Sequence, residues 1–170
     1  SRLESIVVTA GNTAYRSTDG ILYDVSGTTL LLCPQQKLGQ ITIPVGVTRI
    51  AMWAFANAGN ESSGGSSNAS FSVILPSSVT VIEDNAFQHS SIWAIEMPGV
   101  VHIGYSAFSS CRSLRSIVIP ASVATIDGLA FSATGLDCIS FEGAAPLLGS
   151  TALSPFNGIY SNVAVFVKPQ

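Results

Sequence analysis

Few side chains of this chain have the chemistry of a catalytic or metal site, and their spacing favours neither. His89 and His102 are the two histidines, and no Cys, His or acidic residue stands at ligand spacing from either one. None of the 25 serines lies in a Gly-x-Ser-x-Gly segment, which a hydrolase places at a turn from strand to helix. We therefore expect no catalytic, cofactor-binding or metal-binding residue, and we interpret the protein as a non-enzyme.

Three cysteines and two Asp-Gly pairs are better explained by packing and turns than by reactivity. Cys33, Cys111 and Cys138 are an odd number at wide spacing, which indicates buried free thiols rather than a disulfide framework or a zinc site. The Asp-Gly pairs at residues 19–20 and 127–128 lack the alternating oxygen ligands that a calcium loop needs. We predict turns at both pairs.

The composition describes a chain that avoids charge. Of its 170 residues, 47% are hydrophobic and 10% are charged, while 25 Ser and 11 Thr supply polar surface. The net charge of -3 argues against nucleic-acid binding, which needs a basic surface. No stretch approaches the roughly 18 consecutive apolar residues of a membrane span. The start at Ser1, without an initiator Met or a signal peptide, suggests a processed or excised fragment. The length suits one domain with its own core.

The elements that position these residues are repeated along the chain. Four segments end in a proline and are followed by a valine, an isoleucine and an Ala-Phe pair. The prolines are Pro44, Pro76, Pro98 and Pro120, and the phenylalanines of the pairs are Phe55, Phe87, Phe108 and Phe131. The last three prolines stand 22 residues apart. The first interval is longer because of an insertion at residues 57–69, which we predict to be a projecting loop.

Each repeat predicts one short strand and a return path. In the segment before Pro120, Ile117 and Ile119 are predicted to face inward and Ser116 and Val118 outward, and the proline ends the strand. The phenylalanines are predicted to stack as a spine, because so small a unit must bury its apolar face against neighbouring coils.

The flanking segments fit the same pattern less closely. Residues 3–8 and 136–141 match the strand segment of residues 114–119, so the sheet is predicted to have at least six strands. Residues 21–33 predict a β-hairpin that turns at residues 25–27. The last strand is predicted at residues 163–167, within a cap or junction that spans residues 143–170.

The full pattern is Leu-x-x-Ile-x-Ile-Pro-x-x-Val-x-x-Ile-x-x-x-Ala-Phe-x-x-Cys, shown best by residues 114–131 together with residues 107–111. It resembles the BspA-type leucine-rich repeat over nearly the whole chain. The resemblance implies a β-rich α/β solenoid in residues 1–170, a right-handed leucine-rich-repeat superhelix with one short strand per repeat plus the hairpin insertion, and about 22–23 residues per coil. Two positions depart from the pattern, since the cysteine survives only at Cys111 and the third repeat is one residue short near Gly99.

The resemblance also implies a location and a class of partner. The family consists of secreted or surface-anchored proteins linked to adhesion to extracellular-matrix proteins, host cells and other microbes. We therefore expect a monomeric binding module, extracellular or on the cell surface, whose partners are host matrix or cell-surface glycoproteins or other microbial surfaces. The alternative is a rigid spacer that presents another domain of a longer surface protein. In a secreted eukaryotic protein, the sequons at Asn60 and Asn68 would place glycans on the inserted loop.

A candidate binding patch follows from aligning the repeats by their prolines. The first outward column contains Phe71, Trp93 and Arg115, with Gly39 before and Asp137 after them. The second outward column consists of Ile74, Glu96 and Val118. Equivalent positions of neighbouring coils stack about 4.7–4.9 Å apart, and exposed aromatic residues and arginine are the types that anchor interfaces. In the other interpretation, Phe71 and Trp93 fold under a neighbouring loop and complete the core.

Overall fold

The computed structural model describes residues 3–59, 70–144, 146–148, 154–158 and 164–167, and within these ranges it consists of strands and turns. In chain order the strands are β1 (Tyr15–Thr18), β2 (Ile21–Asp24), β3 (Thr29–Leu32), β4 (Gly39–Thr42), β5 (Arg49–Ile50), β6 (Phe71–Ile74), β7 (Val81–Ile82), β8 (Ile92–Glu96), β9 (His102–Ile103), β10 (Ser116–Ile119), β11 (Thr125–Ile126), β12 (Cys138–Phe141), β13 (Leu147–Leu148) and β14 (Ala164–Val167). The described ranges contain no helix that could span a membrane.

The chain winds as a solenoid in which each coil contributes one long strand and one short strand. The short-strand sheet has the order β1-β2-β3-β5-β7-β9-β11-β13. The long strands form two three-stranded sheets, β4-β6-β8 and β10-β12-β14. Strands of successive coils pair in parallel.

The structure corrects the prediction of one strand per repeat. The return path between the proline and the Ala-Phe pair forms a second parallel ladder, the short-strand sheet. Each of its strands in the repeats has two residues, which is too short to produce a visible alternation of apolar and polar residues. The α component of the predicted α/β solenoid is not found among the described residues.

The long strands follow the predicted alternation. Ile117 and Ile119 are buried, while Val118 between them is 48% exposed and Ser116 is exposed as well. Because successive side chains of a strand point to opposite faces, the apolar residues of each long strand line the interior of the coil. The interior is one continuous hydrophobic core that runs from Ile21 to Ile139.

A stack of phenylalanine rings runs along this core and confirms the predicted spine. Phe55, Phe87, Phe108, Phe131 and Phe156 stack in sequence, with ring centroids 4.6, 5.0, 5.3 and 5.6 Å apart. The rings are nearly parallel, with interplanar angles of 5 to 11°. The first four are fully buried, so each coil supplies one ring whose two faces are covered by its neighbours.

At the corner that carries each Ala-Phe pair, two residues adopt the left-handed backbone conformation. The residue before the alanine has a positive φ in every repeat, at Trp53, Asn85, Ser106 and Leu129. The second residue after the phenylalanine does the same, at Asn57, His89, Ser110 and Ala133. The corner also forms a third ladder, since the backbone N–H of Phe55 donates to the carbonyl of Ala86 at 2.7 Å and that of Phe87 to Ala107 at 2.8 Å.

The N-terminal part departs from the repeat. Residues 3–8, predicted to be a strand, form no ladder, and the N–H of Ile6 donates instead to the carbonyl of Gly20 at 2.9 Å. At residues 21–33, β2 pairs antiparallel with β3, and β1 pairs antiparallel with β2. The three strands continue the short-strand sheet, and within the described residues no strand precedes β4 among the long strands.

The third coil closes differently because it is one residue shorter. A side chain at Gly99 would place its Cβ 2.0 Å from the carbonyl oxygen of Ser77 in the preceding coil, so only glycine fits this turn. The buried valine of this coil is Val100, as Val79 and Val123 are in the neighbouring coils, whereas Val101, the valine that the repeat pattern favours, is 41% exposed. Most of the predicted loop at 57–69 lies outside the described residues. About half of the predicted cap at 143–170 is described, and there β14 pairs with β12.

Candidate binding surface

Phe71 belongs to the core, which removes it from the predicted patch. Its side chain is 0% exposed and its ring lies 6.0 Å from that of Phe55. The physical reason is the alternation of β6, because Val73 faces inward and Phe71, two residues earlier, must face the same way. For Phe71 the core interpretation is therefore correct.

Trp93 is exposed because β8 contains an extra residue. Phe71 is opposite Ile92 and Ser72 is opposite Ala94, so the register shifts between these pairs and Trp93 has no partner of its own. Such a β-bulge lets one side chain change face. Ile92 is buried in place of the tryptophan, and Trp93 is 53% exposed.

The second predicted column lies on the outer face of the long strands. Ile74 is directly opposite Glu96 in the β6–β8 ladder. Glu96 is exposed, Val118 is 48% exposed and Ile74 is half-buried. β8 and β10 are neighbours without a ladder between them, so Val118 lies across a break in the sheet from Glu96.

Arg115 lies on the surface just before β10 and contacts the next coil. Its Nη1 is 3.7 Å from Oδ2 of Asp137 and donates to the carbonyl of Gly135 at 3.3 Å. The two side chains of the ion pair are 69% and 75% exposed, and pairs so exposed stabilise a fold by well under about 1 kcal/mol. Arg115 is therefore available to a partner. We call Ile74, Trp93, Glu96, Arg115 and Val118 the outer patch.

The short-strand side carries polar groups that sequence spacing did not reveal. Nδ1 of His102 is 2.7 Å from Oγ1 of Thr125, and its Nε2 is 3.6 Å from Oδ2 of Asp127. Arg49 Nη1 donates to Glu83 Oε1 at 2.6 Å. Each of these pairs joins two neighbouring coils. Comparing the polar residues at equivalent positions of neighbouring repeats could have identified them from the sequence. Within the described residues, no group of three or more His, Cys, Asp or Glu side chains is placed to hold a metal ion.

The thiols are structural. Cys111 and Cys33 are buried, and burial raises the pKa of each thiol from 9.0 to about 12. The Sγ of Cys111 donates to the carbonyl of Phe87 at 3.0 Å and so gives this corner carbonyl of the preceding coil a hydrogen-bond partner. At the equivalent position of the next coil, Oγ1 of Thr134 donates to the carbonyl of Phe131 at 2.8 Å. Both side chains bond to corner carbonyls.

Two of the open grooves in the described part of the chain have defined linings. One, of about 330 Å³, is lined by His89, Ser90, Ser91, Ser110, Arg112 and Ser113 at the corner of the second and third coils. The other, of about 410 Å³, lies at the N-terminal end of the long strands. Its lining residues are Asp19, Ile21, Tyr23, Lys37, Gln40, Ile41 and Thr42.

Comparison with known proteins agrees with the repeat architecture. A family model described as a BspA type leucine rich repeat region matches residues 33–157 in six copies. No curated protein sequence matches the chain.

Solved structures share the fold. The chain is similar to a leucine rich cell surface protein of Faecalibacterium prausnitzii A2-165, with 24% identity and a TM-score of 0.72 over 92% of this chain and 40% of that one. It is also similar to the pneumococcal vaccine antigen PcpA, with 22% identity and a TM-score of 0.50 over 85% of this chain and 29% of that one. The chain therefore spans less than half the length of either protein.

Proposed function

This chain belongs to the BspA-type leucine-rich repeat family, and from that premise we propose that it is a non-catalytic binding module of a secreted or cell-surface protein. Its partners are proteins or glycoproteins of host matrix, host cells or other microbes. Two observations support the location, the family itself and the similarity of the fold to that of a bacterial cell surface protein. The net charge of -3 agrees with a partner other than nucleic acid.

The observation that carries the proposal is the exposed tryptophan of the outer patch. Ile92 fills the interior in place of Trp93, so the bulge presents the large aromatic side chain of Trp93 to solvent. Tryptophan and arginine are enriched among residues that dominate binding energy, and Arg115 lies one repeat further along the surface. Val118 and half-buried Ile74 add apolar area beside them.

The whole of residues 1–170 acts in this proposal as one monomeric solenoid domain, with the insertion at 57–69 as a loop and 143–170 as a cap or junction. The second candidate function is a rigid spacer that holds another domain away from a surface. It is favoured by the continuous short-strand sheet and by the larger size of the two solved proteins.

A binding screen with matched tryptophan variants tests the proposal. The purified chain and its Trp93→Ala and Arg115→Ala variants are applied to matrix proteins and mucin glycans. We expect Trp93→Ala to weaken binding roughly 30-fold, as an interface anchor does, with little change in Tm because the side chain lies outside the core. Trp53→Ala is the control, since Trp53 is 47% exposed and lies at a corner rather than on a long strand.

Two results would contradict the binding module. If Trp93→Ala and Trp53→Ala reduce affinity equally, the outer patch is not the contact surface. If the chain binds none of the matrix proteins or glycans, the spacer becomes the better interpretation.

A further inference from the structure

An open groove at the corner of the second and third coils lies beside the outer patch. Its volume is about 330 Å³, and its lining residues are His89, Ser90, Ser91, Ser110, Arg112 and Ser113. Two of them, Ser91 and Ser113, stand two residues before Trp93 and Arg115 of the outer patch. Two residues of chain span at most about 7 Å, so the groove and the outer patch are adjacent. A groove of this volume is large enough for a small ligand.

The third coil carries one extra residue at this groove. In the coils before and after it, the first buried aliphatic residue beyond the corner stands five residues after the corner phenylalanine, at Ile92 and Leu136. In the third coil this residue is Leu114, which stands six residues after Phe108. The extra residue therefore enlarges the turn that leads to Leu114, and this turn forms one side of the groove.

Backbone contacts hold the enlarged turn in place. The N–H of Arg112 donates to the carbonyl of Ser110 at 3.0 Å, and the N–H of Leu114 donates to the carbonyl of Cys111 at 3.2 Å. A Cβ at Gly135 would lie 2.2 Å from the carbonyl oxygen of Arg112, so the next coil packs directly against the turn. The backbone of Arg112 is thus fixed from two sides, while the residue itself is exposed.

Four polar side chains of the groove are available to a ligand. Ser91, Ser110 and Ser113 are half-buried, and none of their hydroxyls hydrogen-bonds to a described residue. The guanidinium of Arg112 makes no ion pair with a described carboxylate. A serine hydroxyl can both donate and accept a hydrogen bond. Because no apolar side chain is among the described lining residues, the groove suits a ligand covered with hydroxyl groups better than a peptide with apolar side chains.

The groove is positively charged on an acidic chain. No Asp or Glu is among its described lining residues, although the chain has 10 acidic and 7 basic residues. Arg115 is close by, and its ion pair with Asp137 is too exposed to hold it strongly. A guanidinium binds a carboxylate or a similar oxyanion through two parallel hydrogen bonds. The charge of the groove therefore suits an anionic group.

Hydroxyls, a guanidinium and an exposed tryptophan together match the chemistry of an acidic sugar. The face of the indole carries partial negative charge, which attracts the C–H groups on one side of a sugar ring. We propose that the groove binds an acidic sugar unit of a glycan, whose carboxylate or sulfate pairs with Arg112 and whose hydroxyls bond to Ser91, Ser110 and Ser113. The neighbouring sugar unit stacks on Trp93. This inference rests on the proposed binding function and names the ligand group that one end of the surface recognises.

Three sugars that share a lactose core test the proposal. Sialyllactose carries a carboxylate, sulfated lactose carries a sulfate, and lactose is neutral. NMR titration of the isotope-labelled chain measures the three dissociation constants. We expect at least one acidic sugar to bind roughly tenfold more tightly than lactose, because it adds a hydrogen-bonded ion pair, and the tighter of the two identifies the anion. Equal affinity of all three sugars overturns the proposal.

The two tryptophans provide a control within the same titration. The chain contains Trp53 and Trp93 and no other tryptophan, so its spectrum has two indole N–H signals, which the Trp93→Phe variant assigns. The signal of Trp93 should shift as the acidic sugar binds, whereas the signal of Trp53 should stay in place. A shift of the Trp53 signal alone, or of neither signal, contradicts the proposed site.

Substitution of two exposed arginines separates the groove from general charge attraction. Arg112→Gln removes the charge from the groove, so the preference for the acidic sugar over lactose should fall from roughly tenfold to within about twofold. Arg16→Gln is the matched control, because it changes the net charge equally and Arg16 lies on β1 at the end of the short-strand sheet. It should keep the preference. An equal loss in both variants overturns the proposal, as does an unchanged preference in Arg112→Gln that circular dichroism shows to be folded.

Failure of this inference can be told apart from failure of the binding module. If Arg112→Gln leaves binding to the matrix proteins and mucin intact, and removal of sialic acid and sulfate from the mucin changes nothing, the module remains and the acidic sugar is wrong. A blocked peptide of glutamates that binds more tightly than both acidic sugars also contradicts the inference, because the groove would then recognise an acidic polypeptide.

Discussion

At the scale of single residues, the corners carry most of the backbone strain. Two residues of each coil adopt left-handed conformations, and they include large side chains such as Trp53 and Leu129. For a residue with a Cβ this conformation costs roughly 1–2 kcal/mol. The strain is repaid by corner hydrogen bonds such as that from the N–H of Phe108 to the carbonyl of Ala130 at 2.7 Å.

Ala133→Gly should therefore stabilise the protein. Ala133 has φ of 53° and is exposed, so glycine relieves the strain without opening a cavity. We expect a gain of about 0.5–1 kcal/mol in the free energy of unfolding by urea denaturation. Ala124→Gly is the matched control, because Ala124 is also exposed but has no positive φ, and it should lose about 0.5–1 kcal/mol. A loss in both variants would contradict this account of the corner.

The buried thiols make stability fall at high pH. The pKa of Cys33 and Cys111 is raised from 9.0 to about 12 in the folded protein, mainly by burial. The folded state keeps these protons above pH 9 while the unfolded chain releases them, so their contribution is complete below pH 9 and is lost progressively toward pH 12.

At pH 10 we expect the free energy of unfolding to fall by about 1 kcal/mol for each of these thiols relative to pH 8. Cys111→Ala should show a smaller fall, and the variant fits because Ala58 occupies the equivalent buried position in the first coil. Urea denaturation at the two pH values measures the difference. An identical pH dependence in the variant would show that this thiol does not titrate as described.

The direction of a side chain was predicted correctly where it was derived from alternation along the strand. The prediction was wrong for Phe71, where it was derived from aligning the repeats by their prolines. Ile117, Val118 and Ile119 were placed correctly by their period of two. Phe71 was placed outward by counting back from Pro76, although the same alternation through Val73 places it inside. The bulge at Trp93 could not be predicted, since one inserted residue leaves no composition signal.

At the scale of elements, the phenylalanine spine joins all the coils. Each ring in the middle of the stack is covered on both faces, so its loss removes contacts in two neighbouring coils. The two-residue short strands were not predictable, because their pairing depends on coils that lie one repeat away. The lack of a described strand before β4 was not predictable either, because residues 3–8 have the sequence of a strand but form no ladder.

Phe87→Ala should cost about 3–5 kcal/mol in the free energy of unfolding, because it creates a cavity between Phe55 and Phe108. Phe156→Ala should cost clearly less, since Phe156 is half-buried and stacks on one ring, that of Phe131, among the described residues. Thermal and urea denaturation of both variants measures the losses. Equal losses would mean that the stack does not add stability ring by ring.

At the scale of the whole molecule, stability comes from stacking of neighbouring coils, which each contact mainly the next coil. The repeat period predicted this architecture correctly, because a fixed spacing of apolar residues requires equivalent positions to stack. The partner was not predictable to the same degree, since the low charge and the serine content belong to the repeat as a whole and carry no sign of a ligand.

Protection against hydrogen exchange should therefore decline from the central coils toward the ends. The corner amides of Phe87 and Phe108 have coils on both sides and should exchange most slowly, whereas the amides of Ile6 and Asn157 should exchange fastest. Native-state hydrogen exchange followed by mass spectrometry measures this gradient. Uniform protection along the chain would instead indicate that the solenoid opens as one cooperative unit.

The break between β8 and β10 gives the molecule unequal stiffness around its circumference. Across this junction the short-strand sheet continues from β9 to β11, and the corner continues through Phe108 and Ala130, but the long strands share no ladder. Hydrogen-bond ladders resist stretching on the short-strand side and at the corner, whereas no ladder does so on the long-strand side. A load along the axis therefore bends the solenoid at one defined junction, with the long-strand side on the outside of the bend.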